Sequence, residues 1–589
     1  MFFDKPEGQP DPKVAWGSDI AAQMLRRFGF EYVSLNPGAS YRGLHDSIVN
    51  HLGNEKPSMV LCLHEDHSVA IAHGYAKAID EPMACVLHSN VGLLHGMMSL
   101  YNAWCDRSPM FVLGATGPVD SSQRRPWIDW IHTSADQGAL VRDFIKWDNQ
   151  PTSADALVEA MCRANILTRA EPTAPVYICL DAGLQEAPLA EVPDFPDMAR
   201  FQAPAPVRPN KHSIEQAVAL LKSAQRPLIL CGRAGVSLEA WNKRVALAER
   251  LGACVMSDLK NRAVFPTDHP AHVAPPFNQF TPATREIVGE ADVILSLDWI
   301  DLGGAVKAIK NMPEAPAKVI HASLDHTLHN GAHMNYMALP QMDVFMAASS
   351  DAVVEDLLEA LGAGAAKAPW RKPLPAKAKG NDEERITVGS LARALRSAVA
   401  DPDKVMLAGL CRQWPVEEWP FHSPFAYFGK DGGGGIGSGP GMAVGAALAN
   451  HTRGRDTIAV LGDGDFCMGA NAIWSAVHAK VPLLVIINNN RSYFNDELHQ
   501  ETVARRRDRE VSNRWIGQRI SDPEIDIAKL CEAQGATGIG PVNSPAELKK
   551  ALDKGLAELK AGRVCVIDVH INPGAERSAR STIEDRKTP

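Results

Sequence analysis

The stretch from Thr457 to Asn490, TIAVLGDGDFCMGANAIWSAVHAKVPLLVIINNN, constrains this chain more than any other. Thr457 to Leu461 reads as a buried strand running into GDGD. A helical pattern follows, Pro482 closes it, and a second apolar strand ends in three asparagines. Consecutive parallel strands of such a unit usually lie side by side, joined by a right-handed crossover. Asp463 and Asn490 then share the carboxyl edge of one sheet, where open α/β sheets bind ligands. A carboxylate and an amide oxygen, with a backbone carbonyl just beyond, suit Mg2+, which favours oxygen ligands and often shares its shell with substrate phosphates. Gly462 and Gly464 let backbone N–H groups approach a phosphate, and the helix N-terminus behind them favours negative charge. These residues together spell a magnesium–diphosphate site.

At 589 residues the chain exceeds one hydrophobic core. Its net charge of −9 argues against a nucleic-acid or anionic-membrane partner. The eleven cysteines are scattered, many inside apolar runs, with no CxxC pair. They read as buried thiols of a reducing compartment, not as a disulfide frame. The opening MFFDKPEGQPDPK lacks the order of a signal peptide, and no uncharged apolar run approaches membrane-spanning length. A cytoplasmic location with no membrane contact is the expectation.

Two Pro-rich linkers, ending near Ser213 and Glu384, leave three α/β segments at 1–190, 208–365 and 385–575. In the first, Ser18 is expected to cap a helix carrying Ile20, Met24, Leu25 and Phe28, which Gly29 stops. Strands are expected at Tyr32 to Leu35, Met59 to Leu63, Ala84 to Leu87 and Met110 to Leu113, alternating with helices, so the natural architecture is a doubly wound parallel sheet. These strands end in Asn36-Pro-Gly-Ala-Ser40, His64-Glu65-Asp66-His67 and His88-Ser89-Asn90, clusters that should gather on one carboxyl edge. The central segment, with RPLILCGRAG, ACVMSD, ADVILSLD and AKVIHAS, reads as another, Rossmann-like α/β layer structure.

The GDG of residues 462–464, with Asn490 27 positions beyond Asp463, resembles the signature of the thiamine diphosphate (ThDP) enzymes. The branch it is most similar to is that of benzoylformate decarboxylase and acetolactate synthase. The resemblance implies three domains in order: pyrimidine-binding (1–190), central (208–365) and diphosphate-binding (385–575). It implies Mg2+ held by Asp463, Asn490 and the Ser492 carbonyl, with Gly462, Gly464, Asp465 and Tyr493 around the diphosphate. Ile436, in GGGGIGSG, matches the bulky apolar residue that props the bent cofactor, and Gly434 the carbonyl that meets its aminopyrimidine. Asp465 departs from a serine in many relatives; an acidic side chain there must turn away from the diphosphate or meet the metal shell.

HEDHSVAIAHGYA resembles the family's HE…GYA segment, which makes Glu65 the carboxyl group that shifts the aminopyrimidine to its imino form. Lying between apolar strand and helix, it should be desolvated, which suits proton sharing. His88 and Ser89 resemble a catalytic HS pair of the decarboxylase, the histidine moving protons. Ala39 falls where that enzyme has a substrate-binding serine, and Ser40 would substitute only if the turn differs. Relatives that hold FAD carry an arginine after the strand matching ADVILSL; here DWIDLGGAV follows, which argues against FAD.

The family's chemistry implies a 2-oxo acid substrate, decarboxylation to an enamine, and then protonation or capture by an aldehyde or ketone acceptor to give an acyloin. Acyloin cleavage or acyl transfer is the alternative. Relatives place the glutamate and the metal site on different subunits, which implies at least a homodimer, and a homotetramer is the expectation. Asn495, Glu497 and His499 are expected to make the roof of the site polar; Arg505, Arg506, Arg507 and Arg509 read first as a solvated helix face, with attraction of an anionic substrate or a coenzyme A tail as the alternative. Two other readings lose on context. His64 and His67 lack the i, i+4 spacing of a zinc HExxH helix, and GKDGGGGI is no buried strand to precede a dinucleotide fingerprint.

Overall fold

The computed structural model describes residues 1, 3–276, 280–308, 317–325, 340–375, 385–411 and 414–571. The end of the expected third segment, 572–575, and part of the second linker, 376–384, lie outside them.

Three parallel sheets carry the fold. The first holds β1 (Tyr32–Leu35), β2 (Ser58–Leu61), β3 (Met83–Leu87), β4 (Met110–Thr116), β5 (Trp147–Asn149) and β6 (Pro175–Asp181), in the order β2-β1-β3-β4-β6-β5. The second holds β7 (Pro227–Cys231), β8 (Cys254–Ser257), β9 (Val293–Leu297), β10 (Lys318–Ala322) and β11 (Val344–Met346), ordered β11-β10-β9-β7-β8. The third holds β12 (Val405–Leu407), β13 (Asp456–Gly462), β14 (Leu483–Asn489), β15 (Thr537–Val542) and β16 (Val564–His570), ordered β12-β13-β14-β16-β15. Runs such as MACVL and LLVIINN are buried at every residue, as strands covered by helices on both faces must be. Among the described residues no helix is long and apolar enough to cross a membrane.

The first helix, α1 (Gly17–Arg27), corrects one expectation. Its end is closed not by Ser18 but by Asp19, whose Oδ2 accepts the backbone N–H of Ala15 and Trp16, at 2.9 and 3.0 Å. A carboxylate inside the first turn satisfies the upstream amides, and the Ser18 hydroxyl is buried, accepting from Ser47 Oγ at 2.8 Å.

The helices α2 (Glu65–Ile79), α3 (Ser89–Cys105) and α4 (Gly439–His451) lock the first sheet to the third. A Cβ on Gly74 of α2 would stand 2.0 Å from the Met442 carbonyl oxygen, and one on Gly445 of α4 would stand 1.9 Å from that of Ile71. Only glycine permits backbones so close. Beside this contact the buried Lys77 Nζ pairs with Asp106 at 2.5 Å and donates to the Lys430 carbonyl, while Asp106 also accepts the Gly432 N–H at 3.1 Å. The glycine-rich turn is therefore fastened to the ends of α2 and α3.

Candidate active site

In the first sheet the chain passes from β1 to β2 on one side and back to β3 on the other, so β1 and β3 border a topological switch point. The turns leaving those two strands meet there. His88, the N-cap of α3, brings Nδ1 within 2.9 Å of Ser40 Oγ, and the Ser89 N–H donates to the same hydroxyl at 3.0 Å. Ser40 is turned inward, its side chain buried against His88, while Ala39 is exposed beside an open groove with Arg42 and His45. The His132 ring meets His88 edge-on, centroids 4.7 Å apart. Burial first, and then this second imidazole, hold the His88 ring below the ordinary histidine range. Ser89 sits at φ +36°, a strained conformation for a serine, at the head of α3.

Glu65 opens α2, behind His64 as N-cap, whose Nδ1 accepts the Asp66 N–H at 3.1 Å. Its side chain is 8% exposed and its Oε2 lies 3.0 Å from Nδ1 of His95 on α3. It runs across Gly92, where a Cβ would come within 3.2 Å of Oε1. The His64 and His95 rings stack, centroids 4.9 Å apart at 25°. Ligand atoms of His64, Glu65 and His95 lie within 4.8 Å of one another, a grouping that the spacing of His64 and His67 along α2 does not reveal.

The second half of the site stands on the third sheet, where Gly462 of β13 pairs with Asn488 of β14. The helix expected after GDGD is broken into α5 (Asp463–Gly469) and α6 (Ala472–His478). Asp463 Oδ2 and Asn490 Oδ1 both accept the Ser492 N–H, at 3.1 and 2.9 Å, so the two oxygens lie side by side. Burial pushes the Asp463 carboxyl up to about 6 although backbone N–H groups oppose it. A buried oxygen pair of this kind, short of positive charge, fits a hard divalent cation. The other two asparagines differ in role: Asn489 Nδ2 donates to the buried Asp568 at 2.8 Å, and Asn488 is buried. Gly462 faces open space, and Gly464 lies against the Tyr493 ring, which a Cβ would meet at 2.6 Å.

Asp465 turns away from this edge. Its Oδ1 accepts the Gly437 N–H at 2.6 Å and the Gly439 N–H at 3.4 Å, tying the glycine-rich turn to α5. That turn carries Gly434 at φ +69°, with nothing within 4 Å of where its Cβ would stand. Ile436 is 46% exposed, between Met98, which lies over Gly435, and Met468, which lies over Gly437.

The polar roof needs correction. Glu497, on α7 (Phe494–Arg506), is buried: it accepts the Ser492 hydroxyl at 2.6 Å and faces Arg514 and Arg519, both at 3.4 Å. It braces the loop behind Asn490. His499 is exposed, 3.9 Å from Asp496, and Asn495 is half-buried. Arg505, Arg506, Arg507 and Arg509 lie on an exposed face, with Arg505 paired to Glu501. In the central sheet the GRAG turn is filled by an ion cluster, Arg233 to Asp298 at 3.3 Å and to Asp325 at 2.8 Å, with Arg107 joining Asp325 at 2.7 Å.

Two site residues escape a reading of the sequence by motif, His95 and His132. For His95 a signal exists: His88, Gly92, His95, Ser99 and Asn102 recur at three- and four-residue intervals, one face of a helix. The structure turns that face toward the site, since the Ser99 N–H donates to Asp66 at 3.2 Å and Asn102 Nδ2 to the Gly435 carbonyl at 3.2 Å.

Comparison with known proteins agrees with this geometry. Three family models match in order: the N-terminal TPP binding domain of thiamine pyrophosphate enzymes at residues 15–140, their central domain at 214–357, and their C-terminal TPP binding domain at 408–569. The chain is 27% identical to the benzoylformate decarboxylase of Pseudomonas aeruginosa, over 80% of this chain and 85% of that one. It is 23% identical to the acetolactate synthase large subunit of Haemophilus influenzae, over 94% of each. The fold is that of the ThDP-dependent 4-hydroxybenzoylformate decarboxylase of Rhodococcus jostii RHA1, with a TM-score of 0.75 at 23% identity, covering 95% of this chain and all of that one. The chain belongs to the ThDP-dependent 2-oxo acid decarboxylase and carboligase family, and is an enzyme of that cofactor type.

Proposed function

We propose that this enzyme is a ThDP- and Mg2+-dependent decarboxylase of a small 2-oxo acid, whose product is released as an aldehyde or joined to a second carbonyl compound as an acyloin. The observation that carries the reading is the buried Glu65 carboxylate at the carboxyl edge of the first sheet. Bound ThDP supplies the electron sink into which the carboxylate-bearing bond breaks. Asp463, Asn490 and the Ser492 carbonyl would hold Mg2+. Gly462, Gly464 and the head of α5 would receive the diphosphate, with Tyr493 alongside. Glu65 would hold or give up a proton at its buried carboxylate where the cofactor's pyrimidine ring would bind. Gly434 would offer its carbonyl to that ring, and the half-exposed Ile436 would supply the apolar prop. His88, its ring kept neutral by burial, carries protons to and from the substrate, and Ser89 fixes the backbone beneath it.

The active unit in this reading is at least a homodimer, with a homotetramer the fuller form. In support, Leu94, Met98, Ile436 and Met468 leave 40–57% of their surface open around the site, an apolar rim that a second copy would cover. A cytoplasmic location is part of the proposal, on the strength of eleven free cysteines, ten of them buried.

The test is CO2 release by the ThDP- and Mg2+-loaded protein from pyruvate and from branched, aromatic and acidic 2-oxo acids. Release from any one of them, lost in Glu65→Gln, supports the proposal. No release from any, with ThDP bound, transfers it to the second reading, acyloin cleavage or acyl transfer. One observation favours that second reading: Ala39 offers no hydroxyl to a substrate carboxylate, and the Ser40 hydroxyl is committed to His88.

A further inference from the structure

A glutamate side chain at the head of a helix has three rotatable bonds, and Glu65 crosses a glycine that gives it no wall. Gly92 of α3 places no side chain beside the carboxylate, and a Cβ there would stand 3.2 Å from Oε1. Among the described residues one hydrogen bond reaches it. His95, one turn beyond Gly92, places Nδ1 at 3.0 Å from Oε2. An ionised carboxylate only accepts hydrogen bonds, so Nδ1 carries the hydrogen. The His95 side chain is 52% exposed, so no tight enclosure forces the contact. The ring is steadied on one face instead by His64, whose own Nδ1 is held by the Asp66 N–H.

We propose that His95 is a positioning residue: by holding Oε2 of Glu65 at 3.0 Å it fixes the orientation of the carboxylate that would meet the pyrimidine ring of bound ThDP. The inference rests on the role given to Glu65 above. His64, Glu65 and His95 also carry the donor types of a zinc site, but their rings are stacked at 25°. Imidazole lone pairs lie in the ring plane, so two stacked rings point theirs past one another and not at a shared ion. Holding the carboxylate is the role this geometry fits.

The test is a double-mutant cycle on the ThDP- and Mg2+-loaded protein, read by the rate at which the C2 hydrogen of bound ThDP exchanges with deuterium and by the ThDP dissociation constant. A hydrogen bond to a charged group is lost in His95→Ala, and exchange should slow by about tenfold or more. His95→Asn places an amide N–H near the position of Nδ1 and should recover most of that rate. In a Glu65→Gln background, adding His95→Ala should change the rate less than about twofold, because the partner it acts through is gone. A side chain with a merely structural role would slow exchange equally in both backgrounds, and that result would overturn the proposal. So would wild-type exchange in His95→Ala, or an Asn variant no faster than Ala. Tighter ThDP binding by His95→Ala would also overturn it, showing that the imidazole competes with the cofactor for the carboxylate. Failure of the unsubstituted protein to bind ThDP, read before any variant is made, removes the role of Glu65 itself and the proposal with it.

Discussion

The Ser40 hydroxyl stands 2.9 Å from Nδ1 of His88, joining the turn after the first strand to the head of the helix after the third. The contact joins the imidazole to the serine hydroxyl at the switch point of the sheet. Ser40→Ala should therefore lower kcat, by about tenfold for a lost hydrogen bond near the charge-bearing group, and leave KM for the 2-oxo acid within about twofold. Steady-state kinetics separate the two parameters; a rise in KM at constant kcat would make Ser40 a substrate contact.

Chelation should release the diphosphate end of the cofactor. With EDTA present, quenching of tryptophan fluorescence by added ThDP should vanish and return with Mg2+. Asp463→Ala should weaken ThDP binding by about a hundredfold even in excess Mg2+, since it removes the charged ligand from the pair that meets at the Ser492 N–H. Unchanged binding in that variant would place the metal elsewhere.

Gly74 and Gly445 set how closely α2 and α4 approach. A methyl at Gly74 must push the Met442 backbone away, and Gly74→Ala should destabilise the protein by about 1–3 kcal/mol. A lowered thermal unfolding midpoint would show it. An equally low midpoint is not expected for Gly389→Ala, where the nearest atoms would lie 3.6 Å from the new methyl.

The central sheet supplies a pH dependence. Burial lowers the His272 imidazole to about 4, with Ser257 Oγ at 2.9 Å from its Nε2. As pH falls the unfolded chain, with an ordinary value near 6.5, takes up the proton first. Stability from this group is therefore full above about pH 6.5 and lost as pH falls toward 4, a change of about 3 kcal/mol. The unfolding midpoint should drop across that window, and less steeply in His272→Gln.

The glycines, carboxylates and asparagines of the diphosphate edge were legible in the sequence because they are local: strand, turn and helix fix where Asp463 and Asn490 fall. Asp465 was legible only as a constraint, since its partners Gly437 and Gly439 lie far off in the chain. Glu497 was misread because a polar residue near the site was assigned to its lining, while Ser492, Arg514 and Arg519 supply enough partners to bury it. His95 hid for a related reason. Its contact with Glu65 depends on how α2 and α3 pack, which periodicity hints at and no motif states.

The most direct test compares the wild-type protein with Glu65→Gln in two measurements on the same samples: ThDP binding in the presence of Mg2+, and turnover of the best substrate from the 2-oxo acid panel. The account predicts that the variant binds ThDP within about tenfold of wild type while turnover falls by about a thousandfold or more. Turnover that persists in Glu65→Gln would contradict it.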